Sequence, residues 1–173
     1  MPRKGEQRRA SESDALNDFR RIIRSLRVSA QRAQNVAGIS AAQLYVLAQL
    51  AEGSAMSIND LGARTFTDRS SAGAVVRRLV ERGLVARARA VEDRRYAEVR
   101  ITARGLQALK HAPDPPTHLL VSGLEALDES SLAALVTGLR ALVAEMGLAD
   151  APAAMLFDDD GQKPARGPRP TRG

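Results

Sequence analysis

Two short stretches of this 173-residue chain carry most of the side chains with evident chemistry. In "TDRSSAGAVVRRLVERG", a helical wheel puts Ala72, Val75, Val76, Leu79 and Val80 on one side and Ser70, Ala74, Arg77, Arg78 and Glu81 on the other. With Arg69, Ser71 and Gly73, the outward residues form a candidate contact set. Small side chains in the first turns let a helix backbone approach a partner closely, while guanidinium groups further along reach outward. The major groove of B-DNA, about 12 Å wide, admits such a helix. Serine hydroxyls bond phosphates or base edges there, and arginine forks onto guanine. A solvated arginine face has the same composition, so this helix alone leaves both readings open. Gly73 in mid-helix costs about 1 kcal/mol relative to Ala, which weakens the helix or marks a close approach.

The second stretch is "LVARARAVEDRRYAEVRI", in which Glu92, Asp93, Arg94 and Arg95 interrupt two runs with the period of strands that have one wet face. The runs, Leu84 to Ala90 and Ala97 to Ile101, can pair as a hairpin directly after the helix. Arginines at its tip are placed to reach a neighbouring minor groove, whose negative potential attracts them. Asp93 can orient Arg95 through a charge-assisted bond. A charged turn is also a common solvated feature; its position after a helix pair favours a DNA-contacting wing.

Charge is segregated in the same way. Between Ala63 and Arg104 eleven arginines oppose five carboxylates, a net of +6, whereas Gly105 to Asp150 carries a net of −4. A merely solvated surface would mix signs along the whole chain, so the basic centre points to a polyanion.

The elements that must position these residues are mainly helical. Aromatic residues make up 3% of the chain and Trp is absent, so the core must be aliphatic and alanine-rich, as suits packed helices. From Asp14 to about Asn35, Leu16, Phe19, Ile22, Ile23, Leu26, Ala30 and Ala33 recur at helical spacing. Ser40 with Gln43 and Ser57 with Asp60 have capping-box spacing for two further helices. The contact helix starts near Thr67 or Asp68 and ends at Gly83, a residue that tolerates positive φ. The short helix from Ser57 and the contact helix stand in tandem, the outline of a helix-turn-helix. Thr102 caps "ARGLQALKHA", the prolines of "PDPP" interrupt that helix, and it resumes around Thr117 to Leu127. Leu132, Leu135, Val136, Leu139, Leu142, Val143 and Met146 pattern a last helix. Leu16, Phe19, Ile23, Leu135, Leu139 and Leu142 offer more apolar surface than one small winged domain can cover, which predicts a dimer.

Other chemistries find little to work with. The chain has no Cys, which removes disulfides, thiolate metal sites and thiol-based redox sensing. His111 and His118 straddle the prolines without a carboxylate at ligand spacing, no Gly-x-Ser-x-Gly elbow or glycine-rich phosphate loop is present, and "DDDG" lacks calcium-loop spacing. No enzyme activity, cofactor or metal is expected. No apolar run reaches the roughly 20 residues of a membrane span, so the expected location is cytoplasmic.

The run "SINDLGARTFTDRSSAGAVVRRLVERGLVARARAVEDRRYAEVRITARG" resembles the winged helix-turn-helix of the MarR family of bacterial transcription regulators. The likeness lies in the Leu61 helix, the Ser-Ser start, the Val-x-x-Leu core, the "ERGLV" exit, the Asp-x-Arg wing and the opening from Thr102 to Gly105. Flanking helices extend it over roughly Asp14 to Gly147. It implies a mainly α fold with a small β-hairpin wing and N- and C-terminal dimerisation helices. The resemblance implies a MarR-like domain at 14–150, while charged composition without an apolar face leads us to expect a disordered basic arm at 1–13 and a disordered Pro/Gly-rich tail at 151–173. Within the domain, the winged helix-turn-helix spans about 40–104 and the dimerisation helices about 14–36 and 102–147. The resemblance further implies a homodimer on double-stranded DNA with a pseudo-palindromic operator, nucleoid-associated, more often a repressor. It suggests release by a small aromatic or phenolic effector, with Phe19, Tyr45 and Phe66 as wall residues if they do not simply fill core. A helical protein-interaction module and a non-specific architectural DNA-binding protein are the alternatives.

Overall fold

The computed structural model describes residues 4–53, 55–89, 97–151, 153 and 155–157. The elements run α1 (Lys4–Ala37), α2 (Ala41–Glu52), β1 (Met56–Ser57), α3 (Ile58–Arg64), α4 (Arg69–Glu81), β2 (Val85–Arg89), β3 (Ala97–Ile101), α5 (Ala103–Lys110), α6 (Pro116–Glu125) and α7 (Glu129–Glu145). The three strands form one antiparallel sheet in the order β1-β3-β2.

Local chemistry sets the boundaries. Ser40 and Gln43 form a reciprocal capping box at α2. Ser57, Asp68, Thr102 and Asp128 each accept a backbone N–H at the start of α3, α4, α5 and α7. Helix α6 instead begins with Pro116, whose missing N–H is no loss in a first turn. Gly83 takes φ +68 just beyond α4 and turns the chain into β2.

Helix α2 is the centre of the molecule: every residue from Ala41 to Leu50 is buried. Burial extends beyond the side that carries Leu44, Leu47 and Leu50, because α1, α3, α4, β3, α5 and α6 all pack against this helix. Leu61, Val75, Val76 and Leu79 from the helix pair and Leu84, Val85 and Val99 from the hairpin complete the core. The opening of α5 is fastened to the exit of α4. Thr102 donates its hydroxyl to the Gly83 carbonyl at 2.8 Å while accepting from the Gly105 amide at 3.1 Å. Gly105 lies so close to the Leu84 carbonyl that a Cβ there would collide with it.

Two expected disordered stretches differ from the observed ones. Helix α1 begins at Lys4 rather than Asp14, because residues 4–13 are mostly good helix formers and Arg8 pairs with Glu12 one turn on at 2.9 Å. Beyond α7, Met155 is only 6% exposed and joins the core, so the tail expected from 151 keeps an apolar anchor before its charged residues begin. The third difference is β1, whose Met56 and Ser57 pair with Val99 and Glu98.

Candidate nucleic-acid interface

Position and orientation of the contact helix α4 follow from its first residue and its buried side. The Asp68 carboxylate accepts from the amides of Ser70 and Ser71 at 2.7 and 3.0 Å, and from the Ser71 hydroxyl at 2.7 Å. These bonds, the Ser71 hydroxyl foremost, hold the Asp68 carboxyl below its ordinary pKa. Ala72, Val75, Val76 and Leu79 are fully buried, so the helix cannot rotate without exposing core.

The opposite side faces solvent. Arg69, Ser70 and Arg77 are exposed, while Ser71, Gly73, Ala74 and Arg78 are half-buried. Ser71 is the least free of the candidate contacts, since its hydroxyl proton is engaged by Asp68. A Cβ on Gly73 would meet only Ile58 Cγ2, at 3.9 Å, so packing within the chain does not require glycine there. Arg69, Ser70, Gly73 and Arg77 line one open cleft with Ile58 of α3 and with Arg87 of β2. Arg87 was not among the contacts expected from the sequence. It pairs across the sheet with Val99 and so shares a face with buried Val85, yet Arg87 itself is exposed, which the Ala/Arg alternation alone does not disclose.

Two neighbouring arginines have structural partners instead. Arg82 donates to the Gly38 carbonyl at 2.7 Å and to Gln43 Oε1 at 3.0 Å, tying α4 to the start of α2. Arg64 donates to Gln49 Oε1 at 3.3 Å and lies 3.8 Å from Glu52. The wing strands pair in register from Val85 with Ile101 to Arg89 with Ala97. The expected tip residues Asp93, Arg94 and Arg95 lie outside the described residues.

Among the described residues no cluster of His, Asp or Glu could hold a metal, and no helix is long and apolar enough to cross a membrane. The dimerisation candidates Leu16, Phe19, Ile23, Leu135, Leu139 and Leu142 are 36–53% exposed in the single chain, and α7 buries none of its residues. The three aromatic candidates for an effector wall do not converge. Tyr45 is buried and meets the His118 ring edge-on at 5.1 Å, and it shares a cleft of about 360 Å³ with Phe66, Glu52, Arg64 and Glu125. Burial raises its hydroxyl pKa, Glu52 and Glu125 add to the rise, and Arg64 opposes it. Phe19 stands apart on α1 and is not among the residues lining that cleft.

Residues 37–95, which hold α2, β1, α3, α4 and β2, match the MarR family model. That segment resembles a MarR-family winged helix-turn-helix. Among solved structures, Bordetella bronchiseptica BpsR is 25% identical with a TM-score of 0.51, the match covering 75% of this chain and 98% of that one. Its DNA binding is described as regulated by 6-hydroxynicotinic acid. A probable transcriptional regulator from Pseudomonas aeruginosa is 26% identical with a TM-score of 0.51, over 74% of this chain and 92% of that one. A MarR-family transcription regulator at 18% identity and a TM-score of 0.54, over 82% and 93%, shares the fold. No curated protein sequence matches the chain. Within the MarR frame, α3 and α4 are the helix-turn-helix and β2 and β3 the strands of its wing.

Proposed function

We propose that the chain is a homodimeric, sequence-specific transcription regulator, a repressor released by a small-molecule effector. The observation that carries the reading is the shared cleft of Arg69, Ser70, Arg77 and Arg87: two elements bring cationic and hydroxyl groups onto one exposed surface while the reverse side of α4 is locked in the core. In this reading α4 enters the major groove. Arg69, Ser70, Ser71, Gly73, Ala74, Arg77 and Arg78 meet bases and phosphates there, Arg87 adds a phosphate contact, and Arg94 and Arg95, oriented by Asp93, work from the wing.

Dimerisation supplies the second half-site. Helix α1 and the C-terminal helices α5 to α7 are its elements, and the exposed apolar residues of α1 and α7 form its contact. A two-fold dimer presents two α4 helices to a pseudo-palindrome about one helical turn apart. Effector release is supported by the regulated DNA binding described for BpsR.

Fluorescence anisotropy with a selected DNA site tests the reading. Affinity should fall steeply and log-linearly with salt as counterions are released. A protein-interaction module would show no salt-sensitive DNA binding, and an architectural protein would bind competitor DNA equally well.

A further inference from the structure

A third cleft, about 580 Å³ and mostly apolar, lies between the α3–α4 turn, α6, the start of α7 and the segment after α7. Its walls include Phe66, Thr67, Thr117, Leu120, Leu124 and Glu125. The hydroxyls of Thr67 and Thr117 are buried without a hydrogen-bond partner among the described residues, and Thr117 as a whole is 8% exposed. Buried hydroxyls are normally satisfied, so two orphans lining one apolar cleft mark a hydrogen-bonding position for an occupant.

The charge of that occupant can be read from the other end. Glu125 is the sole charged residue among the described ones lining the cleft, and it makes no hydrogen bond or ion pair among them. It follows Thr117 by eight positions on α6, about 12 Å at 1.5 Å per residue. Arg64 lies in the adjoining cleft but is already engaged by Glu52 and Gln49. Glu125 is itself exposed, so screening moderates the effect, but an anion would sit beside a carboxylate with no free cation next to it, whereas a cation would be matched.

We propose that this cleft binds an elongated apolar amine, with a neutral hydrogen-bonding group on Thr67 and Thr117 and its cationic nitrogen beside Glu125. Phe66 gives the site a link to the DNA surface. This aromatic residue holds φ +53, a backbone region costly for a bulky side chain, and it is 76% exposed at the rim. Thr67 follows it and directly precedes Asp68, the cap of α4. A ligand on Thr67 thus bears on the turn that aims the contact helix. Only this consequence for DNA rests on the regulator reading; binding itself does not.

Calorimetry on the full chain at neutral pH, with no DNA present, tests the proposal using three probes of one skeleton: 4-(4-aminobutyl)phenol, 4-(4-hydroxybutyl)phenol and 5-(4-hydroxyphenyl)pentanoic acid. The amine should bind about tenfold more tightly than the acid, as expected when a half-exposed charge pair replaces a like-charge contact. Glu125→Gln should bring amine and alcohol within about twofold of each other. Thr117→Val, which keeps the side-chain shape, should weaken all three by about fivefold while raising the melting temperature of the free protein, because it deletes an unpaired buried hydroxyl. Acid binding as tight as amine, an amine preference that survives Glu125→Gln, or no binding of any probe because a second copy of the chain fills the cleft would each overturn it. If the amine binds as expected yet leaves DNA binding untouched, the site stands and the effector-release reading fails.

Discussion

At the scale of single residues, the proposed DNA binding divides between groups expected to touch DNA and groups expected to aim them. Arg77 is exposed on the free side of α4, so Arg77→Ala should weaken binding by about 1–3 kcal/mol and leave folding intact. Anisotropy together with a thermal melt checks both halves. Arg95→Ala should cost about as much if the wing reaches DNA, and an unchanged affinity would remove the wing from the mechanism. Asp68 aims without touching. Its carboxyl pKa is lower in the folded chain than the ordinary 3.8, so its contribution to stability is present above that pH and is lost as pH falls through the folded value. The difference in melting temperature between wild type and Asp68→Ala should accordingly be full at neutral pH and shrink in acid below 3.8. The arginines and serines of α4 were legible because burial of the valine side leaves them one way to face. Arg87 was missed because its role depends on how β2 lies against α4, a tertiary relation that alternation alone does not contain.

Elements were legible wherever a capping side chain or a proline announces them. Ser40, Ser57, Asp68 and Thr102 mark starts that the structure reproduces, since each supplies a local acceptor for otherwise unpaired amides. Strand β1 was not legible: two residues show no period, and only the edge of β3 makes them a strand. The start of α1 was also displaced, because residues 4–13 carry no apolar stripe and are helical through propensity and local pairing. The junction of Thr102 and Gly105 explains a motif that sequence could only match. Gly105→Ala should destabilise by about 1–3 kcal/mol through collision with the Leu84 carbonyl, measurable by denaturant unfolding. Helix α7 makes a different forecast. Since it buries nothing within the chain, Leu139→Asp should leave the winged domain folded and convert a dimer to monomers, as read by light scattering. A wild-type chain that is already monomeric at micromolar concentration would count against the assembly.

For the whole molecule, segregation of charge and apolar surface is the organising fact. Basic residues cluster in the middle of the sequence and project from α4 and the hairpin, while most of the exposed large apolar residues lie on α1 and α7. A symmetric dimer joined through those helices would carry two basic faces on one side, and the spacing of its α4 helices would fix the spacing of the sites it reads. The most direct measurement is therefore selection of bound fragments from a random double-stranded DNA pool by the full chain, with the complex mass determined on the winning sequence. The account predicts an inverted repeat with half-site centres about 10 base pairs apart, bound by two chains. Enrichment of no motif, or of a single unrepeated site bound by one chain, would contradict it.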